Sequence, residues 1–198
     1  MMTPKEYTRD MLSVYDLCPN GITTLGPGLR YSIWTQGCLQ HCEGCATPQS
    51  RPISNQKRVR VSDLANDILT RPNINGISIS GGEPFLQAAA LADLLNIVLN
   101  KRPSLNVIIF SGYYKESLSW PDAQRLLSMI DLLIDGPYIQ SCNDNQGLRG
   151  SSNQHLHFLS SRLLPWKDEL EHGKRKIEFH VQSSDIKAYG IPSIDMIL

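Results

Sequence analysis

Three of the five cysteines of this chain fall within a single short stretch. Cys38, Cys42 and Cys45 are spaced C-x3-C-x2-C in the segment 36–45. Thiolates this close together can bind one small inorganic cluster, but three of them leave one iron of a four-iron cluster without a cysteine ligand. The spacing therefore predicts an iron–sulfur cluster with one iron open to a substrate or cofactor.

Two other interpretations of these cysteines stay open at this point. A structural zinc site would need a fourth ligand, for which His41, Cys18 and Cys142 are the candidates. Such sites usually combine one C-x2-C pair with a second pair, and only one pair occurs here. Unrelated buried cysteines are the other interpretation, since a free thiol packs as a small hydrophobic group. Cys18 and Cys142 are themselves interpreted as ordinary cysteines.

The bulk composition describes a globular protein with no broad electrostatic preference. The chain has 198 residues, 41% of them hydrophobic, and its 19 basic and 19 acidic residues cancel. That length suits one domain with a proper core. A net charge of zero removes the general argument for binding nucleic acid or a membrane surface. We expect no nucleic-acid partner.

Features of the sequence also bear on its compartment. The N-terminus lacks the apolar region of a secretory signal, and no apolar run is long enough for a membrane helix. Five cysteines with three crowded together do not form a disulfide framework. We therefore expect a cytoplasmic protein with no membrane association.

Hydrophobic patterning predicts strands that alternate with helices. The predicted strands cover residues 31–35, 76–80, 106–110 and 132–134. The predicted helices cover residues 62–69, 85–99 and 121–129, with Ser62 as the N-cap of the first. A weaker strand is expected near residues 11–15, and residues 176–182 and 187–191 are expected to form a hairpin. The alternation predicts an α/β fold with parallel strands.

Polar residues and glycines follow each of the predicted parallel strands. These segments are the cysteine loop, Gly81-Gly82-Glu83-Pro84, Ser111-Gly112 and Asp135-Gly136. Because the carboxyl ends of parallel strands meet at one edge, we expect these segments to lie together. A glycine pair lets backbone N–H and C=O groups approach a ligand closely, and Glu83 adds an anion.

With these segments in this order, the sequence resembles the radical S-adenosylmethionine (SAM) superfamily. Within it, the sequence is most similar to the activating enzymes of glycyl-radical enzymes, above all the branch that activates anaerobic ribonucleotide reductase. The resemblance covers about residues 20–155. Beyond the cysteine loop and Gly-Gly-Glu-Pro, it is carried by residues 26–30 (Gly-Pro-Gly-Leu-Arg), 111–113 and 149–154 (Arg-Gly-Ser-Ser-Asn-Gln).

The resemblance implies a set of roles for residues of this chain. Cys38, Cys42 and Cys45 would bind three irons of a [4Fe–4S] cluster, and the amino and carboxylate groups of SAM would chelate the fourth. The SAM amino group would lie at Gly81, Gly82, Glu83 and Pro84. Further cofactor contacts would come from Gly44 near the adenine and from Ser111, Asp135 and Arg149.

The resemblance also implies an activity. The enzyme would cleave SAM reductively to a 5′-deoxyadenosyl radical, which abstracts a hydrogen atom from a glycine of a partner such as an anaerobic ribonucleotide reductase. A flavodoxin- or ferredoxin-like protein would supply the electron. One alternative is a radical SAM enzyme acting on a small molecule or peptide, as 7-carboxy-7-deazaguanine synthase does. A second is a non-catalytic metal-binding or electron-transfer module.

The implied fold is a short, incomplete radical SAM (β/α) barrel with a C-terminal hairpin extension, because a complete barrel needs about 250 residues. We expect one domain over residues 1–198, with a core at about 20–155 and the extension at about 156–198. The sequence departs from the activating enzymes at Leu25 (usually Asp), at residues 46–48 (Ala-Thr-Pro) and at Pro137 (Lys in relatives). These departures keep the identity of the partner open.

Two polar groups outside the motifs are interpreted as surface. His155 and His157 alternate, so on a strand their side chains could face one side as ligands, but we interpret them as polar surface or as side chains satisfied in a pocket. The cluster 174–176 (Lys-Arg-Lys) is interpreted as a solvated loop.

Overall fold

The computed structural model describes residues 7–54, 57–182 and 185–193. Its strands are β1 (Met11–Ile22), β2 (Arg30–Thr35), β3 (Arg58–Arg60), β4 (Gly76–Gly81), β5 (Asn106–Phe110), β6 (Leu132–Asp135), β7 (His155–Phe158), β8 (Ile177–Gln182) and β9 (Asp185–Gly190). Its α-helices are α1 (Val61–Leu69), α2 (Ala88–Lys101), α3 (Pro121–Leu127) and α4 (Lys167–His172). Among the residues described, no helix has the length and apolarity needed to cross a membrane.

A mostly parallel sheet forms the centre of the fold. Its strand order is β3-β1-β2-β4-β5-β6-β7, and the pairs β2–β4, β4–β5 and β5–β6 are parallel. On one side β1 pairs antiparallel with β2 and with the edge strand β3, and on the other side the edge strand β7 pairs antiparallel with β6. A separate antiparallel hairpin, β8–β9, follows. The predicted α/β class, the four parallel strands and the C-terminal hairpin are thus confirmed.

The two faces of the sheet bury different partners. Alternate residues of the parallel strands, such as Ile33, Ile79 and Ile109, pack with α1, α2 and α3 in the larger core, and we call this side the helix face. The residues between these positions point to the opposite side of the sheet, where Trp34 stacks on Tyr189 of β9. We call this second side the hairpin face. The strand ends can therefore present side chains on either side of the sheet.

Some local predictions were wrong, and each has a physical reason. The first helix begins at Val61 rather than after Ser62, because the Val61 N–H donates to the Asp10 carbonyl and needs no capping side chain. The helix predicted from residue 85 starts with a 3-10 turn, Pro84–Gln87. The strand expected near residues 11–15 continues to Ile22, held by pairing with β2.

Three elements were not predicted at all: β3, β7 and α4. Each is short, with three, four and six residues. Tertiary pairing explains the two strands, since β3 pairs with β1 and β7 pairs with β6. His155 and His157 consequently belong to a strand of the central sheet, where His155 is exposed and His157 is partly buried.

Candidate functional site

The cysteine loop begins where β2 ends and is tied down by backbone hydrogen bonds. The Gly37 N–H donates to the Ser50 carbonyl at 2.7 Å, and the Cys38 N–H donates to the Arg51 carbonyl at 2.8 Å. Gly37 has a φ of 100°, a conformation that favours glycine. The carbonyl of Gly37 in turn accepts the Glu83 N–H at 2.8 Å. The loop is therefore fixed to the end of β4 before any ligand binds.

All three cysteines of the motif line one open cavity on the hairpin face. Its lining also includes Gly44 and the ends of β4 and β5. Cys18 and Cys142 are absent from this lining. The structure thus brings together the three cysteines that the spacing selected and leaves the other two elsewhere.

The thiols are held in a partly buried environment. Burial raises the pKa of Cys38 to about 11, with smaller contributions from nearby Glu83, Cys42 and Cys45, while a hydrogen bond from the Gln40 N–H opposes the shift. Burial also raises the pKa of Cys42. Thiols in such a setting ionise readily only when a cation balances their charge, as metal binding does.

The glycine pair after β4 permits a close approach of two backbones. A Cβ on Gly81, whose φ is 101°, would lie 2.5 Å from the Thr35 nitrogen. A Cβ on Gly82 would lie 2.3 Å from the Gly37 oxygen. A side chain at Gly81 would push β4 away from the end of β2, and one at Gly82 would push it away from the cysteine loop. Thr47, at one of the positions where the sequence departs from the activating enzymes, donates its hydroxyl to the Gly81 carbonyl at 3.3 Å.

Glu83 is fully buried and collects three hydrogen-bond donors. Its carboxylate accepts from the Phe85 N–H at 3.0 Å, the Ser111 hydroxyl at 2.9 Å and the Gly112 N–H at 2.8 Å. Burial raises its pKa to about 7, although all three donors favour the charged form. Glu83 therefore connects the end of β4 to the end of β5, and both Glu83 and Ser111 line the cavity.

With this geometry established, comparison with known proteins identifies the family. Residues 24–157 match a family model described as a 4Fe-4S single cluster domain. The chain belongs to the 4Fe-4S single cluster domain family. The anaerobic ribonucleoside-triphosphate reductase-activating protein of Vibrio cholerae is 34% identical over 143 residues, which cover 67% of this chain and 89% of that protein. The protein of the same name from Escherichia coli K12 is 31% identical over 144 residues, which cover 68% of this chain and 91% of that protein.

A further relative is similar over a shorter segment. A pyruvate formate-lyase-activating enzyme of Staphylococcus aureus is 44% identical over 78 residues, which cover 36% of this chain and 31% of that enzyme. Together these matches confirm the resemblance to radical SAM activating enzymes that the motifs indicated. The family match ends at residue 157, so α4 and the hairpin lie outside it.

Three residues expected to contact the cofactor do not line the cavity, although a neighbour of each does. Asp135 is fully buried on the helix face, whereas Gly136 lines the cavity. Arg149 forms an ion pair with Asp144 at 2.7 Å, whereas Gly150 lines the cavity. The remaining prediction, Pro84, is buried at the start of its 3-10 turn and is also absent from the lining.

Sequence reasoning missed several residues that complete the cavity. Gln154 donates to the Gly136 carbonyl at 2.7 Å and accepts from the Gly150 N–H at 2.7 Å, so it joins the two loops. The position of Gln154 within the Arg-Gly-Ser-Ser-Asn-Gln segment was the available signal. The other missed lining residues are Gln40, Ala46, Arg51, Ser80, Phe110, Gly112, Tyr138, Ile191 and Pro192.

The interpretation of the basic cluster as a solvated loop was wrong for its central residue. Only 6% of the Arg175 side chain is exposed. Its guanidinium donates to the carbonyls of Arg149 and Gly150, beside the cavity, and to the Pro192 carbonyl at 3.2 Å. Lys174 and Lys176 are exposed as expected. Tertiary contacts decide which of three adjacent basic residues is buried, and the sequence carries no signal of that choice.

Proposed function

We propose that this chain is a radical SAM activating enzyme that installs a glycyl radical on a partner resembling anaerobic ribonucleotide reductase. The observation that carries the proposal is the convergence of Cys38, Cys42 and Cys45 with the Gly81–Glu83 segment on one cavity. The segment of this chain that matches covers 89% and 91% of two relatives named as anaerobic ribonucleoside-triphosphate reductase-activating proteins, which supports this class of partner.

The donor set of the cavity fits a [4Fe–4S] cluster with one open iron. Among the residues described, the three thiols are the only cysteine or histidine side chains in the lining. His41, the candidate for a fourth zinc ligand that is closest in sequence, lies outside the lining, and its Nδ1 atom is 2.5 Å from the Arg51 guanidinium. Three soft ligands without a fourth favour an iron–sulfur cluster over a closed zinc site.

The residues of the chain position the reactants. When bound at these residues, the cluster and SAM would supply one-electron reductive cleavage of SAM to methionine and a 5′-deoxyadenosyl radical, the species that would take a hydrogen atom from the partner's glycine. In our proposal Gly81, Gly82 and Glu83 place the SAM amino group, and Gly44 borders the adenine. Apolar side chains of the lining, such as Phe110, reduce access of water to the reacting groups.

The proposed fold is the incomplete radical SAM barrel expected from the length of the chain, used as one domain. Parallel strands β2, β4, β5 and β6 would form its wall, and the open cavity would admit a glycine loop of the partner. The electron donor would be a flavodoxin- or ferredoxin-like protein. A partner resembling pyruvate formate-lyase is less well supported, since the matching segment covers only 31% of that activating enzyme.

The first test is SAM cleavage by the full-length chain reconstituted anaerobically with iron and sulfide. With SAM and a strong reductant, we expect 5′-deoxyadenosine from the unaltered chain and none from Cys42→Ala. Cys142→Ala is the matched control, because Cys142 is also half-buried but lies outside the cavity. It should retain both the cluster absorption and product formation.

The second test adds the partner. Incubation with an anaerobic ribonucleotide reductase should produce an organic radical in electron paramagnetic resonance, with a doublet splitting that collapses when the partner's glycine is deuterated at Cα. SAM cleavage without radical transfer would redirect the search to small-molecule or peptide substrates. A chain that holds its cluster and binds SAM, yet forms no 5′-deoxyadenosine with or without partner, would contradict the proposal.

A further inference from the structure

A second group of metal-ligating side chains lies on the opposite side of the sheet from the cysteines. Asp135 ends β6 and pairs in register with His155 of β7, while Leu133 pairs with His157. Since side chains alternate along strands and point the same way in paired positions, Asp135, His155 and His157 share one face. Leu133 belongs to the larger core, so this is the helix face.

The ligand atoms of this group are close enough to bind one ion. The His155 Nδ1 atom lies 3.0 Å from Asp135 Oδ1, and the His157 Nε2 atom lies 2.9 Å from Asp135 Oδ2. All the ligand atoms fall within 4.8 Å of one another. Adjacent ligands of a metal with bonds of about 2.05 Å are separated by about 2.9 Å in octahedral geometry and about 3.3 Å in tetrahedral geometry.

His155 hydrogen-bonds to the Asp135 carboxylate through Nδ1, but His157 does not, so hydrogen bonds within the group do not satisfy all of its polar atoms. The Asp135 side chain is fully buried, and the Lys115 N–H donates to its Oδ2 atom at 2.7 Å, which fixes its orientation. His157 Nε2 is inaccessible to solvent, and its orientation gives it no hydrogen bond despite its short distance to Oδ2. A buried ring nitrogen left in this way is costly unless another group binds it.

We propose that Asp135, His155 and His157 form a binding site for a first-row divalent metal such as Zn²⁺ or Fe²⁺. Two imidazoles and one carboxylate are a common ligand set for these ions. The His155 side chain is 62% exposed, so solvent can reach the site and water can complete the coordination. The ion would join β7 to β6 and to the loop that contains Lys115. Its ligand Asp135 is the residue directly before Gly136, which lines the cavity.

The test must keep the cysteines from binding the metal. In the full-length chain with Cys38, Cys42 and Cys45 changed to Ser, we expect one equivalent of Co²⁺ to bind with d–d absorption and no thiolate charge-transfer band. Zn²⁺ should compete for the same site and raise the melting temperature. Removing an imidazole ligand should weaken Zn²⁺ binding at least 10-fold. Loss of a group that only hydrogen-bonds to a metal ligand already lowers metal affinity by about 10-fold or more.

Matched histidine variants separate this site from general histidine binding. His155→Ala should lose affinity, whereas His172→Ala, whose side chain is 63% exposed and lies outside the group, should not. If the chain with Cys38, Cys42 and Cys45 changed to Ser does not fold, the two histidine variants are made instead in the native chain loaded with its cluster. Calorimetric titration with Zn²⁺ then compares their affinities. Absence of stoichiometric binding, or equal affinity in His155→Ala and His172→Ala, would overturn the proposal.

Discussion

Two buried charged side chains, Glu83 and Arg175, hold the loops of the cavity, and both act on the backbone. Glu83 is an anion that gathers donors, and its partners are Phe85 N–H, Gly112 N–H and the Ser111 hydroxyl. Arg175 is a cation that gathers acceptors. Its partners are the carbonyls of Gln146, Arg149, Gly150 and Pro192, the side chain of Asn143 and, as an ion pair at 3.7 Å, the carboxylate of Asp144.

The two side chains differ in where they come from along the chain. Glu83 lies inside the family match at residues 24–157, whereas Arg175 lies beyond it. Gly150 and Pro192, both held by Arg175, line the cavity. One side of the cavity is therefore built from family residues alone, and the other depends on a segment outside the family match.

The largest expected effect comes from removing the Glu83 carboxylate. Glu83→Ala leaves a cavity and three donors without an acceptor, so we expect a loss of about 4 kcal/mol in the free energy of unfolding. Urea denaturation of the metal-free chain measures it. Glu116→Ala, in an exposed turn, is the control and should change stability by less than about 0.5 kcal/mol. A loss below about 1 kcal/mol for Glu83→Ala would show that the donors find other partners.

Titration of Glu83 should make stability depend on pH. Its pKa is 4.5 in the unfolded reference and is raised to about 7 by burial. The stabilising contribution is thus complete below pH 4.5 and is lost as the pH rises through 7, by about 3 kcal/mol in total. The free energy of unfolding of Glu83→Gln should not decline in this way. The difference in that free energy between the two chains, measured at pH 5, 6, 7 and 8, isolates the contribution of Glu83. Parallel curves for the two chains would mean that Glu83 is ionised throughout.

Arg175→Ala should lower the free energy of unfolding by about 2 kcal/mol, because it removes a buried donor from several carbonyls. Lys174→Ala is the matched control, since its side chain is exposed and one residue away. Arg175→Lys keeps the charge but loses the planar fork, so it should restore only part of the loss. If Arg175→Ala and Lys174→Ala unfold at the same urea concentration, the extension does not support the cavity.

The parallel strands were predictable because local patterning and tertiary environment agree there. Strand β5 is a continuous apolar run that is buried on both faces, and its predicted and observed limits coincide. The Gly81–Glu83 segment was predicted to meet the cysteine loop because the carboxyl ends of parallel strands meet at one edge of a sheet. The distances at Gly81 and Gly82 agree with that reasoning.

Other features depend on contacts that the sequence does not display. The position of Asp135 after a strand was clear, but which face its side chain takes depends on the register of β6 within the sheet. The burial of Arg175 depends on carbonyls more than 20 residues away, such as those of Arg149 and Gly150. Neither spacing nor composition near these residues contains that information.

The smallest expected effect concerns the outer face of the hairpin and sharpens the role of the extension. Phe179 and Val181 are 61% and 67% exposed, whereas Tyr189 is 7% exposed and stacks on Trp34 at 5.3 Å. Phe179→Ser should therefore change the free energy of unfolding by less than about 0.5 kcal/mol, and Tyr189→Ala should lower it by about 3 kcal/mol. A large loss for Phe179→Ser that depends on protein concentration would mean that a second copy covers this face. A loss independent of concentration would mean that the extension supports the cavity through both faces of the hairpin.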